Sequence, residues 1–205
     1  MSIPELNISA EERAKLQTYL QSSREALQDV AFAGPSAATD EEGSKRLWLI
    51  CAYDLAKGEP EDEFNFLNLA NAFYANGLLE EAIAVYEDIE KRGATFLGHY
   101  DDPLFNIGLV RAEQKNFDAA IVALSEVSRR FPEASAQIAY YLGAVHHGAG
   151  NFPKARQEYE KCLRSLGNSE RSQKVRAKIE SLLRDVGNSV TFSERLKSPW
   201  QEFIH

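Results

Sequence analysis

The pattern that decides the fold is clearest in residues 104–124, LFNIGLVRAEQKNFDAAIVAL. Related passages occupy residues 66–86, FLNLANAFYANGLLEEAIAVY, and residues 139–159, AYYLGAVHHGAGNFPKARQEY. Each passage carries Leu or Ile followed by a small residue, then a turn, then Ala with an aromatic residue or Leu four positions on. The repeated alanines, 82, 120 and 155, are 38 and 35 residues apart, so one unit occurs three times.

The apolar spacing in each passage predicts two antiparallel helices joined by a tight turn. The small residue in the first helix lets a neighbouring backbone approach closely, as in Leu69-Ala70, Ile107-Gly108 and Leu142-Gly143. The repeated alanine does the same in the second helix, where a larger side chain would overpack the crossing. The turns are predicted at residues with the required backbone freedom, which are Gly77, Lys115-Asn116 and Gly150-Asn151.

This pattern resembles the tetratricopeptide repeat, a helix-turn-helix unit of about 34 residues. The resemblance covers three repeats in residues 62–167 and implies an all-α right-handed superhelix. The sequence departs from the family pattern where Phe66, Leu104 and Ala139 replace its tryptophan and Arg111 replaces its tyrosine.

Residues 1–61 are predicted to form an N-terminal helical extension. Its helices cover residues 10–31 and 45–57, separated by a small, polar connection that ends at Ser44. Ser9-Ala10-Glu11-Glu12 fits a capping box at the start of the first helix.

The segment that follows the repeats is predicted to close the end of the repeat array. Residues 168–187 fit a capping helix, with Val175, Ile179, Leu182 and Leu183 on one apolar stripe. Residues 188–205 form a C-terminal tail that ends in Pro199-Trp200-Gln201-Glu202-Phe203-Ile204. This aromatic tail either packs on its own chain or docks on a neighbouring molecule, which would build a homo-oligomer.

Composition narrows the classes of function. The chain has 205 residues and a net charge of −8, which argues against a nucleic-acid-binding protein. Two distant cysteines exclude a disulfide framework. The sequence shows neither a signal peptide nor an apolar run long enough to span a membrane, so we expect a soluble, cytoplasmic protein.

Charge is unevenly distributed along the chain. Residues 1–100 hold 18 acidic and 8 basic side chains, whereas residues 101–205 hold 13 and 15. The basic C-terminal stretch is interpreted as solvated helix faces. The alternative is one pole of a contact with an acidic partner.

Candidate catalytic chemistry is sparse, so we predict no enzyme activity. The pattern places His146 in an aromatic packing slot and turns His147 towards the inner face. Neither has Cys, Asp or Glu four residues on, which argues against a metal site. No nucleotide-binding or nucleophile motif occurs, so neither a cofactor nor a metal is predicted.

The remaining candidate site is the inner face of the first helix of each repeat, which would line a peptide-binding groove. Aromatic rings there would supply apolar contact, and asparagine amides would pair with the backbone of an extended peptide. The predicted groove residues are Phe64, Leu67, Asn68, Asn71, Tyr74, Phe105, Asn106, Leu109, Glu113, Gln137, Tyr140, Tyr141, Ala144 and His147.

Two of these residues match a motif of chaperone-binding tetratricopeptide proteins. The resemblance implies that Asn71 and Asn106 hold a ligand backbone. The cations of that family's carboxylate clamp are replaced by the uncharged Leu67, Gln137 and Tyr141. The groove therefore favours an apolar or neutral segment over an acidic chaperone tail.

We predict a non-catalytic adaptor, scaffold or assembly factor that binds a protein partner in this groove. One alternative is a cytoplasmic secretion chaperone, because bacterial type III translocator chaperones are similar acidic three-repeat proteins with an N-terminal helical extension. A second is a self-associating structural protein. A third possibility is that the N-terminal helix or the C-terminal tail fills the groove.

Overall fold

A computed structural model describes residues 3–22, 41–94 and 98–184 of the chain. Every regular element within these ranges is helical, which confirms the all-α class. A short 3-10 helix spans Pro132–Ala134. The α-helices in these ranges are α1 (Ala10–Ser22), α2 (Glu41–Gly58), α3 (Glu63–Ala75), α4 (Leu79–Arg92), α5 (Pro103–Glu113), α6 (Phe117–Arg130), α7 (Ser135–Gly148), α8 (Phe152–Ser165) and α9 (Glu170–Arg184).

The chain divides into two compact units, Met1–Thr95 and Phe96–His205. In the first unit, α2 packs on α3 and α3 packs on α4. In the second unit, each helix from α5 to α9 packs on the next one along the chain. Among the described residues, no helix combines the length and the apolar character that crossing a membrane would need.

The N-terminal segment lies against α2. Ser9 and Glu12 form the predicted capping box, since the Glu12 amide donates to Ser9 Oγ and the Ser9 amide donates to Glu12 Oε2. Arg46 of α2 donates to Glu12 Oε1 (2.6 Å) and to the Asn7 carbonyl (2.6 Å). The Arg46 bond, aided by Ser9, lowers the pKa of Glu12 to about 2. Ile8 adds an apolar contact by packing on the core of α2.

The predicted boundaries of the extension need one correction. Helix α2 begins at Glu41, inside the stretch that was predicted to be a connection ending at Ser44. Two glutamates open this helix, where they suit both helix propensity and the positive end of the helix dipole. The end of α2 at Gly58 agrees with the prediction. The predicted continuation of α1 to residue 31 lies outside the described residues.

All three helix pairs reverse direction through the same backbone turn. The turn residue has a positive φ in each pair: 72° at Gly77, 60° at Lys115 and 75° at Gly150. The next residue adopts nearly identical angles in each pair, with φ of −84° to −86° and ψ of 69°. Its amide donates to the carbonyl five residues earlier, which satisfies the end of the first helix. The three predicted turns are therefore confirmed.

The helices of each pair cross at small residues, as predicted. The second-helix alanines, Ala82, Ala120 and Ala155, are fully buried. A Cβ on Gly108 would lie 2.9 Å from Leu124 Cγ, and a Cβ on Gly143 would lie 2.6 Å from the Tyr159 ring. These glycines therefore set how closely each helix pair packs.

Helix α9 packs on α8 through Val175, Ile179 and Leu182, which are buried, and through the half-buried Leu183. Its bounds fall within the predicted capping segment 168–187. The predicted division into repeats, cap and tail remains a prediction, and residues 188–205 lie outside the described part of the chain.

Candidate functional site

Helix α3 carries the accessible part of the predicted groove. Asp62 caps this helix, because its Oδ1 accepts hydrogen bonds from the amides of Phe64 (2.9 Å) and Asn65 (3.4 Å). Phe64, Asn68 and Asn71 follow at positions i, i+4 and i+7, so they form one row along the helix. The Phe64 side chain is 58% exposed, and the two asparagines are half-buried. We call these three residues the α3 row.

Asn71 is held in place by the second helix of its pair. The Tyr86 hydroxyl donates to Asn71 Oδ1 at 2.5 Å. Tyr86 is fully buried, and burial raises the pKa of its phenol far above the usual range, so it stays protonated and able to donate. Since the oxygen of the amide is occupied, the Asn71 Nδ2 group remains the donor that a ligand could use.

The other members of the predicted set on α3 differ in exposure. Leu67 is buried and Tyr74 is half-buried. The buried Leu67 belongs to the core of the first unit and adds no accessible surface to the row.

The predicted residues on α5 serve the interior of the second unit instead. Phe105 and Leu109 are buried in its hydrophobic core. Asn106 is only 8% exposed, and its Nδ2 donates to the carbonyls of Tyr100 (3.0 Å) and Asp102 (3.3 Å). The amide nitrogen of Asn106 therefore anchors the segment that enters α5.

On α7, the predicted residues also lie mainly in the interior. Tyr140 and Tyr141 are fully buried, His147 is buried, and Gln137 is half-buried. The Tyr141 ring meets Phe105 edge-on at 4.9 Å, which joins α7 to α5. His147 meets the rings of Phe152 (5.5 Å) and Tyr159 (6.4 Å), so it packs towards α8. The exposed Glu113 of α5 and the buried Ala144 of α7 complete the predicted set.

One comparison with known proteins decides the family. Residues 105–170 match the family model described as tetratricopeptide repeat. The chain is a tetratricopeptide-repeat protein. No curated protein matches it as a relative. The matched residues run from α5 to the start of α9. The α3–α4 pair precedes them and shares the same turn geometry.

Tetratricopeptide repeats are in general non-catalytic modules for protein–protein interaction, and the interior of this one offers little reactive chemistry. Burial raises the pKa of Cys51 to about 11 and of Cys162 to about 12, so both thiols stay protonated at neutral pH. Within the described ranges, no group of three His, Cys, Asp or Glu side chains could hold a metal ion.

The histidines of this tetratricopeptide-repeat protein have structural surroundings. His99 is buried against Tyr100 (3.9 Å) and Phe105 (5.5 Å), and burial lowers the pKa of its imidazole. His146 is buried as predicted. Burial lowers the pKa of His146 too, and the nearby Lys154 adds to this effect. Both imidazoles are therefore expected to be neutral at pH 7.

The basic stretch of α8 and α9 makes several local ion pairs. Lys161, Arg164 and Lys174 pair with glutamates three or four residues away on their own helices. Such exposed pairs add little to stability. They do support the interpretation of this stretch as solvated helix faces.

Sequence reasoning missed two exposed apolar side chains. Val122 of α6 is 70% exposed, and Phe152 at the start of α8 is 39% exposed. The helical period contained the signal for Val122, because it places this residue opposite the buried Ala120 and Leu124. Val122 offers a matched control for the α3 row, since it exposes apolar surface in the other unit.

Proposed function

We propose that this protein is a non-catalytic adaptor, scaffold or assembly factor that binds an extended, largely apolar or neutral segment of a partner protein. The α3 row is the primary contact in this proposal. The observation that carries it is the exposure of Phe64 in line with Asn68 and Asn71.

The α3 row combines two kinds of recognition in one line. An exposed aromatic ring supplies apolar contact at a low cost in side-chain entropy. The asparagine amides can pair with the N–H and C=O groups that an extended peptide leaves unsatisfied. The bond from Tyr86 holds Asn71 in one orientation, which lowers the entropy that binding would cost.

Charge supports a neutral or apolar ligand. Leu67, Gln137 and Tyr141 stand where chaperone-binding relatives would need cations, and none of the three carries a charge. Acidic residues also surround the start of α3, at Glu61, Asp62 and Glu63. They would repel an acidic segment.

The test compares capture of partner proteins by four purified chains: the parent, Phe64→Ser, Asn68→Ala and Val122→Ser. We expect the parent and Val122→Ser to retain the same partner, and the two α3-row variants to lose it. For the isolated partner segment, calorimetry should show Kd rising roughly tenfold or more for Phe64→Ser, as expected for an aromatic anchor.

Thermal unfolding of the same chains separates binding from stability. Asn68→Ala and Phe64→Ser should unfold within a few degrees of the parent, because both side chains lie outside the core. Retention of the partner by both variants would contradict the proposal and would direct attention to the basic faces of α8 and α9. Asn106→Ala is a poorer test, since it removes bonds within the chain itself.

A further inference from the structure

The middle of α7 is buried around its whole circumference. All ten residues from Ile138 to His147 are buried. Gln137 before them and Gly148 after them are half-buried. Ten consecutive buried residues cover almost three turns of helix, so every side of this stretch must lie against other atoms.

The described neighbours of α7 account for two of its sides. Helix α8 covers the side of Gly143, whose backbone faces the Tyr159 ring. Helix α6 and the 3-10 helix pack on another side. The remaining side carries Tyr140, Ala144 and Tyr141, and all three side chains are 0% exposed. We call these three residues the α7 face.

The segment that follows α9 has the length and the composition to cover the α7 face. It comprises residues 185–205, and 21 extended residues reach roughly 70 Å, whereas α7 is only about 21 Å long. It belongs to the same compact unit as α7, Phe96–His205. Its last residues carry Trp200, Phe203 and Ile204, and aromatic side chains of this size bury 150–250 Å² each, on the order of what a covered helix face requires.

We propose that the C-terminal segment, residues 188–205, docks on the α7 face of its own chain, with Trp200 and Phe203 against Tyr140, Ala144 and Tyr141. Ala144 is the small residue of this face and leaves room for a large ring between the two tyrosines. The segment thereby closes the inner surface of the second unit, while the α3 row of the first unit stays accessible. This inference is independent of the proposed function.

Trp200 itself can report the contact. The chain has two tryptophans, so Trp48→Phe in the full chain leaves Trp200 as the single fluorophore. Docking predicts a blue-shifted emission and acrylamide quenching about threefold or more weaker than in the same chain unfolded in urea, because a buried indole is shielded from solvent.

A pair of matched substitutions locates the contact. Ala144→Glu places a charge on the α7 face and should raise the quenching of Trp200 towards the unfolded value, while circular dichroism still shows a helical chain. Ala177→Glu makes the same change at an exposed alanine of α9 and should leave the quenching as it was. Phe203→Ser, in the segment itself, should also raise the quenching and does not depend on α7 tolerating a charge.

Three results would overturn the inference. Trp200 quenched as strongly in the native chain as in urea would show that the segment is not docked. Protection unchanged by Ala144→Glu in a folded chain would place the contact elsewhere. Protection that disappears on dilution would assign the covering segment to a second copy of the chain. None of these results affects partner binding by the α3 row, which is measured separately.

Discussion

The first and last helix pairs of this protein use the same repeat positions in opposite ways. In the α3–α4 pair, Ala70 and Asn71 lie opposite a buried tyrosine, and the Tyr86 hydroxyl donates to Asn71. In the α7–α8 pair the same positions hold Gly143 and Ala144, and the Tyr159 ring lies directly against Gly143. One pair presents an accessible row of side chains, and the other encloses its inner side chains completely.

This difference shows that a repeat position does not by itself make a binding residue. Polar Asn71 stays at the surface because its oxygen has a partner in Tyr86 and its nitrogen can remain solvated. The residues of the α7 face are apolar or aromatic and gain stability from being covered. A pattern shared by three repeats therefore specifies helix pairing, while the side chains decide which surfaces stay open.

Gly143→Ala should have the largest effect, a loss of about 2 kcal/mol in the free energy of unfolding, because the new methyl group would overlap the buried Tyr159 ring. Urea denaturation of the full chain measures this loss. Gly108→Ala should cost less, since Leu124 can adjust its rotamer more easily than a buried ring can move. A more stable Gly143→Ala chain would show that the two helix pairs have equal room at this position.

Tyr86→Phe should cost about 1 kcal/mol of stability, because it removes the hydrogen bond to Asn71 and leaves the rest of the ring in place. We also expect weaker partner binding, since Asn71 loses the group that orients it. Urea denaturation and calorimetry with the partner segment test both effects. Unchanged binding in a destabilised chain would restrict the Tyr86–Asn71 bond to a structural role.

Acidification should separate the two units. All four histidines lie in the second unit, and burial lowers the pKa of His99 and His146 below the ordinary 6.5. The unfolded chain therefore binds protons at a higher pH than the folded chain. The stabilisation is present above about pH 6.5 and is lost as the pH falls towards the folded pKa values.

Hydrogen exchange at pH 7 and pH 5.5, corrected for intrinsic rates, tests this dependence segment by segment. Protection should fall in α5 and α7 and stay nearly constant in α3 and α4, which serve as the internal control. Glu12 of the first unit keeps its charge over this range, because its pKa is about 2. Equal loss of protection in both units would contradict the assignment to the histidines.

Lys115→Gly should have the smallest effect, a gain of about 0.5–1 kcal/mol, because Lys115 holds a φ of 60° where the other two pairs have glycine. The substitution makes all three turns alike, and thermal unfolding measures the gain. Gly77→Ala in the first pair is the reverse control and should lose stability. A loss of stability in Lys115→Gly would mean that this lysine stabilises the turn through its side chain.

Much of the fold followed from local sequence signals. The turns at Gly77, Lys115 and Gly150, the capping box at Ser9 and the small residues at the helix crossings are properties of short segments, so spacing and residue type predicted them. The start of α2 was missed because the polar residues after Asp40 suit a helix start as well as a loop. Helix ends depend on small differences in propensity and on docking against neighbouring helices.

The sequence by itself determined that this chain is all-α, that it is built from repeated antiparallel helix pairs, and where those pairs turn. Local spacing carries that information, because each pair closes through contacts between nearby residues. Only the tertiary structure decided the state of the predicted groove residues. It left Phe64 exposed, turned the amide of Asn106 towards carbonyls of its own chain and buried Tyr140 and Tyr141. Burial and hydrogen-bond partners depend on which segments pack on a helix face, and periodicity within that helix does not record them.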